Sequence, residues 1–290
     1  MLLISYFQIY PEAFITVMVI LGLVVGSFIN VVIYRLPIMM EHEWREQCRM
    51  LFGAPAKEPP ADQEPFNLLS PRSRCPHCQH LVRAINNIPV ISYLVLRGKC
   101  VHCEQPISLR YPLIELASGL LTGYVALHYG FHPETFFAVI LTWSLLCLSM
   151  IDIDHQLLPD DITLPLLWLG LGCNMFNIFT NLHSSVIGAI AGYGSLWIIF
   201  VTFRLATGKE GMGYGDFKLL AMLGAWLGWE MLPLIILLSS LLGAVIGIFL
   251  IIIRGRDRNN PIPFGPYLAL SGWIALLWGN EITDIYLKLV

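Results

Sequence analysis

Residues 136–152 read FFAVILTWSLLCLSMID, an apolar run that ends on the carboxylate of Asp152. A second carboxylate, Asp216, closes the tetrad Gly-Tyr-Gly-Asp at 213–216 and precedes another apolar run at 219–228. A carboxylate in a membrane helix costs roughly 2.5–3.5 kcal/mol at the bilayer centre, so such residues are functional candidates. Two carboxylates that meet can share one proton and activate water. The two runs therefore predict membrane helices that carry aspartic-protease chemistry.

The composition bounds the class of protein. The chain has 290 residues, of which 56% are hydrophobic and 13% are charged. Soluble domains carry about 25% charged residues, so a mean hydropathy of +0.68 indicates a protein that lies in lipid. The net charge of −3 argues against a nucleic-acid partner. We expect an all-α polytopic integral membrane protein.

Eight segments fit helices of about 20 residues, which cross an apolar layer of ~30 Å. The first is followed by Arg35 and has no basic residue before it, so we expect a retained span and not a cleaved signal peptide. Gly22 and Gly26 within it form a G-x-x-x-G pair, which predicts close helix packing. The segments are 13–34, 112–130, 134–152, 162–181, 185–205, 217–230, 232–253 and 264–279.

Basic residues predict the orientation of these spans. Sixteen of the 17 Lys and Arg residues form three clusters, in the loop 35–110, at 204–218 and at 254–258. If eight spans alternate, all three clusters lie on one side, which the positive-inside rule makes cytoplasmic. Asp152 and Asp216 then both lie at cytoplasmic helix ends, where they can meet.

The loop 35–110 carries two C-x₂-C pairs separated by 21 residues. This spacing predicts a small cytoplasmic domain with a structural Cys₄ zinc site, the ligands being Cys75, Cys78, Cys100 and Cys103. Two disulfides are the alternative, which a reducing cytoplasm disfavours. His77 and His102 are expected at the surface of the turns. Residues 39–66 predict a helix followed by a flexible proline-rich linker.

The remaining aspartates near the pair have simpler expected roles. Asp160 and Asp161 are expected to cap the helix of the fourth span, and Asp154 is expected to face away from Asp152. Asp216 precedes a helix, where the macrodipole favours charge, whereas Asp152 ends one. We therefore expect Asp216 to be the charged member of the pair and Asp152 the protonated member.

The tetrad 213–216 matches the Gly-x-Gly-Asp signature of intramembrane aspartyl proteases. Within that group the chain resembles the type IV prepilin peptidases from end to end. The insert 39–66 is the part least similar to that family. The resemblance is carried by the segments 26–37, 73–78, 97–103, 110–115, 152–160 and 213–218.

The resemblance implies two activities in a bacterial inner membrane. Such enzymes cut the basic leader from type IV prepilins and type II secretion pseudopilins after a Gly, at the cytoplasmic face. They then methylate the new N-terminus with S-adenosylmethionine. The family's catalytic pair maps onto Asp152 and Asp216, and Gly98 and Lys99 match a feature associated with methyl transfer and its cofactor.

The implied division is a first span at 1–34, a methyltransferase-associated cytoplasmic domain with the four cysteines at 35–110 and a seven-span peptidase core at 111–290. Acidic residues close to the pair could attract the basic leader, and the candidates are Asp154, Asp160 and Asp161. Glu115, at the start of the second span, is another candidate contact.

Three alternatives stay open. The first is an aspartyl peptidase without methyltransferase activity, because no S-adenosylmethionine motif is readable in the sequence. The second is a transporter that uses Asp152 and Asp216 as proton or cation ligands, although no internal repeat is visible. The third is a zinc-binding scaffold, in which loss of either aspartate would have no effect.

Overall fold

The structure, a computed structural model, describes residues 2–53, 66–209, 211–254 and 263–289. The chain divides into two compact units, Met1–Leu127 and His128–Val290. The regular structure of the described residues is helical, with two isolated antiparallel bridges beside it. The all-α prediction is confirmed. The predicted linker falls largely on 54–65, which lie outside the described residues.

The first unit is built on two long helices. Helix α1 covers Leu2–Ile9, α2 covers Pro11–Leu51, the short α3 covers Ile91–Val95 and α4 covers Arg110–Tyr129. Small residues let α2 and α4 approach closely. A Cβ added to Gly22 would lie 2.6 Å from Oγ1 of Thr122, and one on Gly26 would lie 2.8 Å from Cα of Glu115. The predicted packing role of this glycine pair is confirmed.

Six α-helices are found in the described part of the second unit. They are α5 (Pro133–His155), α6 (Asp160–Asn174), α7 (Leu182–Thr207), α8 (Tyr214–Leu227), α9 (Leu232–Arg254) and α10 (Gly265–Leu289).

Helix α8 forms the core of this unit. Eleven of its 14 residues are buried, so its neighbours enclose it on nearly every side. The ring of Phe217 packs against Tyr193 and Phe200 of α7, and Nε1 of Trp226 donates to the carbonyl of Leu166 in α6 at 2.8 Å.

The far end of α8 is closed by one amide side chain. Asn174 is fully buried, and its Nδ2 donates to the carbonyls of Ala225 (2.8 Å) and Trp226 (2.9 Å). Its Oδ1 accepts from the backbone N–H groups of Phe179 and Thr180, both at 3.1 Å. The last carbonyls of a helix have no partner within the helix, so these bonds satisfy part of the α8 terminus inside the protein.

The predicted spans each overlap one of these helices. Four described segments are long and apolar enough to cross a membrane, namely Pro11–Leu51, Pro133–His155, Leu182–Thr207 and Trp229–Phe249. These four helices indicate a membrane protein. The count of eight spans stays a prediction. Helix α6 ends at Asn174, seven residues before the predicted end at 181, because Asn174 bonds to the turn that follows it.

Candidate active site and metal centre

Asp152 lies in the last turn of α5. The helix ends where Gln156 adopts a left-handed conformation, with a φ of 52°, and donates its N–H to the carbonyl of Asp152 at 2.9 Å. The side chain of Asp152 is 5% exposed. Its Oδ2 accepts a hydrogen bond of 3.0 Å from the backbone N–H of Gly265, the first residue of α10. A residue 113 positions away therefore holds this carboxylate.

Asp216 lies in the first turn of α8. The N-cap of that helix is Gly213, so Asp216 is the third helical residue and not the cap itself. It is 7% exposed, and its carboxylate reaches back toward the backbone N–H of Gly213. An acidic side chain at the third helical position often satisfies the N-cap N–H in this way. The first turn of α8 thus carries Asp216, and the N–H of its N-cap residue is a partner for the carboxylate.

The fold brings the two carboxylates close enough for their charges to interact. Leu158, in the connection after α5, lies close to Gly215, which precedes Asp216, and to Gly265, which bonds to Asp152. A Cβ added to Gly215 would lie 2.8 Å from Cβ of Leu158, and one added to Gly265 would lie 3.2 Å from its Cδ2. Asp152 and Asp216 are hereafter called the carboxylate pair.

The neighbouring aspartates differ from the pair in their surroundings. Asp160 is paired with Lys218, whose Nζ lies 2.7 Å from each of its carboxylate oxygens. The predicted capping role of Asp160 and Asp161 is wrong, because α6 begins at Asp160 with Pro159 as its N-cap. Both still lie in the first turn, where negative charge is favourable. Asp154 is exposed while Asp152 is buried, as expected for two residues that face apart.

Two buried charges in the first unit fasten the loop to its helices. Arg35 donates from Nη1 to the carbonyl of Asn67 at 2.8 Å and from Nη2 to that of Pro71 at 2.5 Å. Glu115 of α4 accepts the backbone N–H of Val90 on Oε2 at 2.8 Å. The carboxylate of Glu115 is therefore engaged inside this unit. Sequence reasoning missed both anchoring roles, although each charge lies at the edge of an apolar run.

The four cysteines lie on two turns of the same form, within residues 73–106, hereafter the Cys₄ loop. In each turn the N–H of the first cysteine, Cys75 or Cys100, donates to the carbonyl five residues later at 2.9 Å. The residue four positions after that cysteine, Gln79 or Glu104, has a φ near +56° and donates back to the cysteine carbonyl. One local pattern, used twice, therefore points the thiols at a common centre.

The spacing of the sulfur atoms fits a tetrahedral metal ion. All four Sγ atoms lie within 4.8 Å of one another, and those of Cys75 and Cys103 are 3.8 Å apart. Zinc bound at about 2.3 Å by four thiolates requires sulfur atoms about 3.8 Å apart. The backbone N–H groups of Cys103 and then His102 donate to the sulfur of Cys100 and lower its pKa to about 6. The cluster could thus bind a metal as thiolate, and the thiols are free.

Gly98 and Lys99 lie directly before Cys100. Gly98 is buried, has a φ of +67°, and a Cβ there would lie 2.7 Å from the hydroxyl of Tyr93. A turn and a close contact therefore already require glycine at this position. Lys99 is exposed. Their predicted part in cofactor binding stays a prediction.

The chain is similar to known proteins along nearly its whole length. Residues 20–129 match a family model described as the bacterial peptidase A24 N-terminal domain, and residues 139–248 match one described as the type IV leader peptidase family. No solved structure matches the chain.

Relatives named prepilin leader peptidase/N-methyltransferase include the following three. The protein of Stutzerimonas stutzeri is 58% identical over 278 residues, which cover 96% of this chain and 95% of the relative. That of Pseudomonas aeruginosa is 55% identical over 286 residues, with 99% and 98% covered. That of Dichelobacter nodosus is 50% identical over 266 residues, with 91% and 92% covered.

Proposed function

This chain belongs to the type IV leader peptidase family, and we propose that it cuts the leader from prepilins with Asp152 and Asp216 as the catalytic pair. The family assignment rests on relatives matched over nearly their full length. The observation that carries the catalytic assignment is the meeting of two buried carboxylates from distant parts of the sequence. Carboxylates buried to this extent are costly to ionise, so their presence in membrane helices indicates a functional role.

The pair can hydrolyse a peptide bond without a nucleophilic side chain. One carboxylate accepts a proton from water as the water oxygen attacks the scissile carbonyl carbon, and the other donates a proton to the carbonyl oxygen. The intermediate then breaks its carbon–nitrogen bond: the amine takes the proton held by the first carboxylate, and a hydroxyl of the intermediate returns a proton to the second. Because both side chains are largely shielded from solvent, their electrostatic effect on the reacting atoms is stronger than it would be in water.

The location of the pair suits a substrate with a basic leader and an apolar helix. Asp152 and Asp216 lie in the terminal turns of apolar helices, which is where such a substrate would present the junction between its two parts. We assign this face to the cytoplasmic side of a bacterial inner membrane, because most Lys and Arg residues would lie there. Type II secretion pseudopilins, which share this chemistry, are included as substrates.

We assign methylation of the new N-terminus to the Cys₄ loop. S-adenosylmethionine supplies an electrophilic methyl group when bound, and the exposed ammonium group of Lys99 suits its carboxylate. Gly98 fixes the turn that presents Lys99. Zinc on the four cysteines would hold the two turns together and take no part in the transfer. The division into 1–34, 35–110 and 111–290 follows this assignment of activities.

Mass spectrometry of the N-terminus of a co-expressed prepilin tests the proposal. Wild type should give a cleaved, methylated product. Asp152→Asn and Asp216→Asn should leave the leader in place, whereas Asp284→Asn, at an exposed position of α10, serves as a matched control and should behave as wild type. Cys75→Ser should give a cleaved but unmethylated product, and Cys48→Ser, which alters an exposed thiol outside the cluster, should behave as wild type.

Two results would change this view. Cleavage at the normal rate by either pair variant would remove that residue from the catalytic assignment. A wild-type product that is cleaved and never methylated would favour the open alternative of a peptidase alone.

A further inference from the structure

We propose that Gly265 is a positioning residue for the peptidase reaction. Its backbone N–H holds one oxygen of Asp152, and its missing side chain lets the start of α10 lie against that carboxylate. The inference rests on the proposed catalytic role of Asp152. It adds a third helix, α10, to the two that carry the pair.

The hydrogen bond from Gly265 to Asp152 is favourable for both groups. The first N–H groups of a helix have no partner within that helix, and the positive end of the macrodipole favours a nearby carboxylate. Asp152 is 5% exposed, so water cannot readily replace the 3.0 Å bond from Gly265. The bond therefore satisfies the start of α10 and fixes the orientation of the carboxylate.

Position 265 has no space for a side chain, so it requires glycine. A Cβ on Gly265 would lie 2.6 Å from Oδ2 and 3.2 Å from Cγ of Asp152. The nearest atom is the free end of a short side chain, which can rotate away more easily than a backbone can move. An added methyl group therefore displaces the reacting carboxylate first and disturbs the fold second.

Gly215 differs from Gly265 in the atom that an added Cβ would meet. A Cβ on Gly215 would lie 2.8 Å from Cβ of Leu158, an atom fixed to the backbone. Gly215 thus controls how α8 packs, whereas Gly265 acts directly on the carboxylate. Leu158 lies close to both glycines.

This arrangement also bears on which carboxylate carries charge. The expectation that Asp152 is protonated considers the C-terminal end of α5 alone. The start of α10, whose Gly265 N–H bonds to Asp152, is a second helix end at the same carboxylate. Asp216, the other titratable group that faces Asp152, has the start of α8 as its own partner. Each carboxylate of the pair therefore lies at the N-terminus of a helix, Asp152 at that of α10 and Asp216 at that of α8.

The test compares three variants of the full-length enzyme in lipid vesicles. Gly265→Ala keeps the N–H and adds the Cβ. Gly265→Pro also removes the N–H, at a first helical position where proline is accepted. Gly194→Ala, on α7, is the matched control because nothing lies within 4 Å of its Cβ. Each is assayed for prepilin cleavage and for methylation of an already cleaved pilin.

For Gly265→Ala we expect kcat for cleavage to fall about 100-fold, since a displacement of about 1 Å has that effect. KM should stay within about threefold of wild type, because substrate binding is not altered. Gly265→Pro should lose at least as much, methylation should be unchanged in both, and Gly194→Ala should match wild type throughout.

Wild-type cleavage by both Gly265 variants would overturn the proposal. So would a joint loss of cleavage and methylation in both, since Gly265 would then serve folding and not position. Asp152→Asn, assayed in parallel, tests the catalytic role of Asp152 separately from the positioning role of Gly265. Normal cleavage by that variant would refute the catalytic pair itself, whatever the Gly265 variants do.

Discussion

The Cys₄ loop and the carboxylate pair are held in place by different forces. The loop has short turns and partly exposed cysteines, so its shape depends on four thiols that converge on one point. The pair has no such centre. It depends on the enclosure of α8 and on bonds between residues that are far apart in the sequence.

The two proposed activities should therefore be separable by perturbation. Removal of a metal should disturb the loop and spare the pair. Loss of packing around α8 should do the reverse.

The largest effect is expected from metal removal. Structural zinc contributes about 10–16 kcal/mol in small zinc domains, so a chelator should unfold the Cys₄ loop. Methylation of an already cleaved pilin should then be lost, while prepilin cleavage continues. Labelling of the cysteines with a thiol reagent, followed by peptide mass spectrometry, measures the unfolding. If chelation leaves all four thiols protected, the loop is held by something other than a metal.

The next effect is expected from the pair. Asp152→Asn or Asp216→Asn should lower the cleavage rate by about 10⁴-fold, because residues that act as one unit each carry most of the effect. The double variant should therefore be no worse than either single one. Steady-state cleavage measured with all three variants tests this. Losses that multiply in the double variant would show that the carboxylates act independently.

A smaller effect is expected from the enclosure of α8. Trp226→Ala removes a fully buried ring and its bond to the carbonyl of Leu166, which should cost about 3–5 kcal/mol. Thermal unfolding in detergent, followed by loss of cleavage activity, provides the measurement. Trp168→Ala is the matched control, since that ring is 70% exposed. Equal destabilisation by both would mean that α8 is not the packing centre of its unit.

The smallest effect is expected from the ion pair of Asp160 and Lys218. Both side chains are partly exposed, at 49% and 30%, and exposed pairs contribute about 0.2–1 kcal/mol. A double-mutant cycle with Asp160→Ala and Lys218→Ala, measured by unfolding, should give a coupling in that range that weakens with salt. A coupling above ~2 kcal/mol would instead make the pair part of the frame of the active site.

Sequence reasoning reached the features that local patterns encode. The spacing of the cysteines predicts a converging cluster, and carboxylates at the ends of apolar runs predict the pair. Gly265 was missed because its bond to Asp152 spans 113 positions, and nothing near it in the sequence indicates which helix it meets. The capping role predicted for Asp160 is wrong because Pro159 occupies the N-cap of α6. One residue further along, the carboxylate of Asp160 pairs with Lys218 instead.

The amide of Asn174 has a consequence for the chemical lifetime of the protein. Both of its N–H bonds point at carbonyl oxygens of α8, and its own oxygen accepts two backbone N–H groups. Deamidation there would replace two donors with an oxygen that faces two other oxygens. A spontaneous change of one mass unit would then loosen the helix that carries Asp216. Because the side chain is buried and held by four hydrogen bonds, the change would be slow, and enzyme that carries it should lose cleavage.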